Sequence, residues 1–69
     1  MNTDHLMHML NQIAVNLAAQ GEATAVAETA QHVVDFWDPR MKAGLFAADL
    51  TPLSPIARAA VDQLIAAHA

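Results

Sequence analysis

Four histidines and seven carboxylates are the groups in this 69-residue sequence with the most obvious chemistry, since cysteine is absent. His5, His8 and Met9 cluster near the start, with Asp4 one helical turn before His8. That spacing would place Asp4 and His8 on one helix face. A structural zinc takes four ligands, however, and His32 and His68 are remote in sequence. The plainer reading is a set of polar positions on a helix, and we expect no metal site. Nucleophilic catalysis fares no better. Ser54 is the only serine, and its place directly before Pro55 is that of a helix cap. Asp4 and Asp38 have capping explanations as well. A chain this short can hardly wall off a water-excluding pocket of roughly 300–1,000 Å³. We therefore expect no catalytic residues and no bound cofactor.

Chemistry of a different kind, recognition, concentrates in Phe36-Trp37-Asp38-Pro39-Arg40-Met41. The segment and its neighbour Lys42 hold the only tryptophan, one of two phenylalanines and two of the three basic residues. Part of it has a folding role: Trp37 completes an apolar stripe, and Asp38-Pro39 is a cap followed by a first-turn proline. Arg40 is not explained this way. A cation in a helix's first turn is disfavoured by about 0.3–1 kcal/mol. Either an intramolecular carboxylate (Asp35 or Asp38) compensates it, or it serves a partner. Trp and Arg are also the residue types enriched at binding hot spots. A second candidate surface is the back of the first helix, where His8, Asn11, Gln12 and Val15 carry no fixed charge. Uncharged amides beside a valine suit burial against another chain. The alternative is an accidentally charge-poor solvent face.

Composition shows what must position these residues. The apolar fraction is 55%, whereas charged residues make up only 14% against the roughly 25% usual in soluble domains. A net charge of −4 with three cations argues against binding nucleic acid or an anionic membrane. The longest charge-free run, His5 to Gly21, is broken by His8, Asn11, Gln12, Asn16 and Gln20, so no bilayer span is expected. No signal peptide is recognisable, and a cytoplasmic location is expected. Burial at about 25 cal/mol/Å² over some 6,500 Å², about 60% of it apolar, contributes ~100 kcal/mol, about what ordering the chain costs. Without disulfides, such a chain gains most from leaning on a partner.

The pattern predicts one all-α domain over residues 1–69, with three or four helices and short connections. Asn2 or Thr3 caps a first helix whose core stripe is Leu6, Leu10, Ile13 and Leu17, and Gly21 stops it. A second runs from about Glu22 to Trp37, with Val26, Ala30, Val33 and Trp37 inward and Glu28, Gln31 and Asp35 outward. Pro39 ends it and begins a third, reaching about Ala48 with Met41, Leu45 and Ala48 on one face. The last helix runs from Ile56 to about Ala67, with Ala57, Val61 and Leu64 inward and Arg58 paired to Asp62 across one turn.

At Phe36-Trp37-Asp38-Pro39-Arg40-Met41 the sequence resembles the delta subunit of NAD-dependent, molybdenum-containing formate dehydrogenases. Two flanks agree with it: Leu6-Met7-His8-Met9-Leu10-Asn11-Gln12-Ile13-Ala14 and Leu53-Ser54-Pro55-Ile56-Ala57-Arg58-Ala59-Ala60-Val61-Asp62-Gln63-Leu64. The resemblance implies a non-catalytic accessory subunit of a cytoplasmic complex that oxidises formate to carbon dioxide and reduces NAD⁺. It would dock on the large molybdenum-bearing catalytic subunit, stabilise or help assemble the complex, and assist insertion of the molybdenum cofactor. It implies that the larger subunits carry the chemistry, on a molybdenum or tungsten bis-pterin guanine dinucleotide, iron–sulfur clusters and flavin mononucleotide (FMN). The residues themselves leave open a rival: a free-standing helical homo-oligomer acting as regulator or adaptor without an enzyme partner.

Overall fold

The computed structural model describes residues 3–68, and they form an all-α fold. Four helices follow one another: α1 (Thr3–Leu17), α2 (Glu22–Phe36), α3 (Pro39–Ala47) and α4 (Pro55–His68). A single 3₁₀ turn, Ala18–Gln20, extends the end of α1. Of the two residues expected to cap α1, Asn2 lies outside the described residues and Thr3 is itself the first helical residue.

The breaks between helices have local causes. Gly21 sits at φ +100°, a conformation that side chains with a Cβ rarely adopt, and so turns the chain sharply. Its carbonyl accepts from the Ala25 amide at 2.8 Å, starting α2. At the other end, Asp38 precedes proline and is extended (φ −75°, ψ 169°). Trp37, also extended, leaves α2 one residue before the expected end, although its amide still reaches the Val33 carbonyl at 3.0 Å. The Asp38 carboxylate accepts from the Met41 amide at 2.8 Å and caps α3, with Pro39 at the first helical position. Ser54 does the same work for α4: its hydroxyl and carbonyl accept from Ala57 and Arg58. Between α3 and α4, Asp49 accepts from both the hydroxyl and the amide of Thr51, at 2.6 and 3.0 Å. These bonds hold its carboxyl below the ordinary carboxylate range.

The core lies where α1 meets the other three helices and α2 packs on α4. Val26, Ala30, Val33 and Trp37 are buried as their spacing predicts, as are Leu45, Ala57, Val61 and Leu64. The Arg58–Asp62 pair forms at 3.4 Å on the surface of α4. On α1 the stripe is shifted. Leu6 and Leu10 are buried, but Met7 and Ala14 join them, and Ile13 and Leu17 are only half-buried. A helix contacting three neighbours needs a face wider than a single i, i+4, i+7 row, and Ala14 permits close approach where a larger side chain would not. Gly44 serves a similar purpose on α3: a Cβ there would lie 3.2 Å from Leu6 Cδ1. Two buried polar atoms, Thr29 Oγ1 and Trp37 Nε1, have no hydrogen-bond partner among the described residues.

Asn11 ties the longest connection down. Its amide nitrogen donates to the Pro52 carbonyl at 3.0 Å, and its oxygen accepts from the Ser54 amide at 2.8 Å. These bonds span more than forty residues of sequence and set the start of α4 against the middle of α1. Asn11→Ala is expected to cost about 1–3 kcal/mol, because a half-buried amide and carbonyl lose their partner. The checking measurement is the urea midpoint, which falls without change in the slope if only stability is affected. An unchanged midpoint would show that the two bonds do not hold the loop.

Candidate docking surfaces

The α2–α3 corner displays the segment singled out in the sequence, and the fold divides its six residues. Phe36, the last residue of α2, is 73% exposed. Its ring leans on the His32 imidazole one turn earlier, with centroids 4.8 Å apart and planes tilted by 38°. Trp37 points the other way and is 4% exposed, within the core. Asp38 and Pro39 build the α3 cap, and Met41 is half-buried against the core. That leaves Phe36 and Arg40 as the outward side chains of most consequence.

Arg40 is exposed and has no ion-pair partner among the described residues. Both carboxylates expected as alternatives are engaged elsewhere. Asp35 accepts from the Gln31 side-chain amide at 2.9 Å, and Asp38 accepts from the Met41 amide. Lys42, two residues on, donates to the Val34 carbonyl at 3.3 Å. It thereby satisfies a carbonyl in the last turn of α2, where a cation is favoured. Its sequence position gave no hint of that role, because only the α2–α3 bend brings the two together.

The outer face of α1 is the second candidate. His8, Gln12 and Val15 are exposed there, Val15 by 64%. Asn11 differs from them: it is half-buried, and both ends of its amide bond the α3–α4 connection, a role in the fold that the sequence did not show. Its neighbours Met7, Leu10 and Ala14 are buried, which places Asn11 at the edge of the packed side and not on the outer face. Where α1 ends, Val15 and Ala18 border an open groove of about 370 Å³, with Ala14, Glu22, Pro55 and Ile56 among its other walls. No sequence feature announced this groove, since its walls come from three separate elements.

His5 and His8 are both exposed, and among the described residues no three His, Asp or Glu side chains are placed to hold a metal ion. With no cysteine the chain cannot supply thiolates to an iron–sulfur cluster. No described helix is long and apolar enough to cross a membrane.

No curated protein and no solved structure matches the sequence. One family model does, that of the NADH-dependent formate dehydrogenase delta subunit, FdsD, over residues 5–61. The match takes in α1, the groove walls, the Phe36–Met41 corner, the Asn11-tied connection and the first half of α4. With most of its length inside that span, including the α2–α3 corner and the Asn11-tied connection, the chain belongs to the FdsD family of formate dehydrogenase delta subunits.

Proposed function

We propose that this chain is the non-catalytic accessory subunit of a cytoplasmic NAD-dependent formate dehydrogenase complex. It docks on the large molybdenum-bearing catalytic subunit, stabilises or helps assemble the complex, and assists insertion of the molybdenum cofactor. Formate oxidation and NAD⁺ reduction then belong to the larger subunits. So do the molybdenum or tungsten bis-pterin guanine dinucleotide, the iron–sulfur clusters and the FMN.

The observation that carries this reading is the α2–α3 corner. An acidic chain exposes its largest described aromatic surface, Phe36, four residues before a cation that no carboxylate among the described residues pairs with. Beyond its contact with His32, the Phe36 ring stays largely in water, whereas Phe and Arg together are favoured in a desolvated contact with a carboxylate-bearing partner. Docking therefore rests on Phe36 and Arg40, with Trp37, Asp38, Pro39 and Met41 holding the corner in shape. His8, Gln12 and Val15 supply a second, uncharged contact.

Co-expression with the other subunits tests it. The tagged chain is expected to retain a large subunit whose iron and molybdenum are measurable by metal analysis. Recovery of the chain alone, as a stable dimer or tetramer, would overturn the proposal in favour of a homo-oligomeric regulator.

A further inference from the structure

The groove beside Val15 has a composition that selects its occupant. Ala14 is buried and Ile56 half-buried, so they form its deeper side, and Val15, Ala18 and Pro55 are exposed around it. Its lining is almost entirely carbon, so water held against it is released at a gain when apolar side chains replace it. The single charged wall residue is Glu22, in the first turn of α2. It has no ion pair among the described residues. The α2 N-terminus offsets about half a charge, which leaves the rim negative on a chain already at −4. An acidic occupant would be repelled and a purely apolar one would leave the carboxylate facing it partly desolvated.

We propose that this groove seats a segment of the large catalytic subunit that presents a pair of apolar side chains next to a lysine or arginine, the cation pairing with Glu22. The inference rests on the docking reading above and deepens it. It assigns the uncharged α1 contact to a defined cleft and gives that contact the opposite polarity to the Arg40 corner. The chain would then offer its partner one cation and one anion at separate places, which specifies a single docking orientation.

Three variants at exposed positions test this without entering the core. Val15→Lys places a competing cation at the groove edge, Ala18→Trp fills the space, and Glu22→Gln removes only the charge. Each is compared with the wild-type chain for affinity to the purified large subunit, and for melting temperature alone. Expected are at least a tenfold weaker Kd for Val15→Lys and for Ala18→Trp, with melting unchanged. For Glu22→Gln we expect a 2–5-fold weaker Kd and a shallower dependence of Kd on salt. Wild-type affinity in both Val15→Lys and Ala18→Trp would overturn the groove assignment while leaving the docking reading intact. Equal salt dependence of wild type and Glu22→Gln would overturn the basic occupant. Self-association of the isolated wild-type chain that Val15→Lys abolishes would assign the groove to a second copy instead. Failure of the wild-type chain to bind the large subunit at all would sink both proposals together.

Discussion

Trp37→Ala is expected to unfold the isolated chain at 25 °C or bring it close to doing so. Trp37 is 4% exposed and closes the buried row Val26, Ala30 and Val33 at the point where α2 gives way to α3. Truncating a core tryptophan to alanine costs about 3–5 kcal/mol. At about 0.05–0.15 kcal/mol per residue, a 69-residue chain has only about 3–10 kcal/mol in total. The loss is thus comparable to the whole stability. Helical circular dichroism against temperature checks it, and a variant that melts within a few degrees of wild type would contradict the assignment of Trp37 to the core.

Trp37→Phe separates packing from the indole N–H. Nε1 is buried with no hydrogen-bond partner among the described residues. A buried unsatisfied donor costs about 1–3 kcal/mol, and removing it returns that amount. Phenylalanine also leaves a smaller cavity than alanine does. The two effects oppose one another, so Trp37→Phe is expected to lie within about 1 kcal/mol of wild type. A loss near that of the alanine variant would mean that the N–H is bonded in solution.

The second large effect is on association. The double variant Phe36→Ala, Arg40→Glu is expected to keep its melting temperature and lose its partner. Both side chains are exposed, and Arg40 has no ion pair among the described residues to break. Glutamate at position 40 is even favoured by the α3 dipole, by about 0.3–1 kcal/mol. Hot-spot truncations at protein interfaces cost at least about 2 kcal/mol, and reversing a paired charge adds repulsion. Together they amount to roughly a hundredfold or greater loss of affinity for the large subunit, measurable by calorimetry or surface binding. Undiminished affinity would remove the corner from the docking surface. Loss of helicity would instead show that Phe36 or Arg40 serves the fold.

Helix boundaries were legible because their causes are local. Gly21, Asp38-Pro39 and Ser54-Pro55 act within a few residues of themselves, through positive φ, the restriction before proline and side-chain capping. The α2 and α4 stripes were plain in part: Val26, Ala30, Val33 and Trp37, and Ala57, Val61 and Leu64, are buried as spaced, while packing also buries Ala25, Thr29 and Ala60 beside them. The α1 stripe was less plain. Met7 lies about 100° round the helix from Leu6, and only the joint packing of three neighbours makes both buried. The corner was half legible: its composition marked it, but residue type alone does not say that Phe36 points out while the adjacent Trp37 points in. That choice follows from α2 ending at Phe36, after which the extended backbone of Trp37 turns its side chain into the core.

Asn11 shows the distinction most sharply. As a residue in a charge-free run it looked like part of a contact surface, and its position one turn after Met7 was the available sign that it faced inward. Its two partners, Pro52 and Ser54, lie 41 and 43 residues away, so no local pattern could name them. Sequence alone determined the all-helical class, the stops and starts, and the family, because each depends on near neighbours in the chain or on a contiguous motif. Tertiary packing decided which side chains are engaged across the fold and which stay exposed: Asn11 bonds the α3–α4 connection and Lys42 the Val34 carbonyl, whereas Phe36, Arg40 and Glu22 remain exposed. A side chain's remaining capacity to bind is what folding leaves over, and that remainder exists only once distant segments have met.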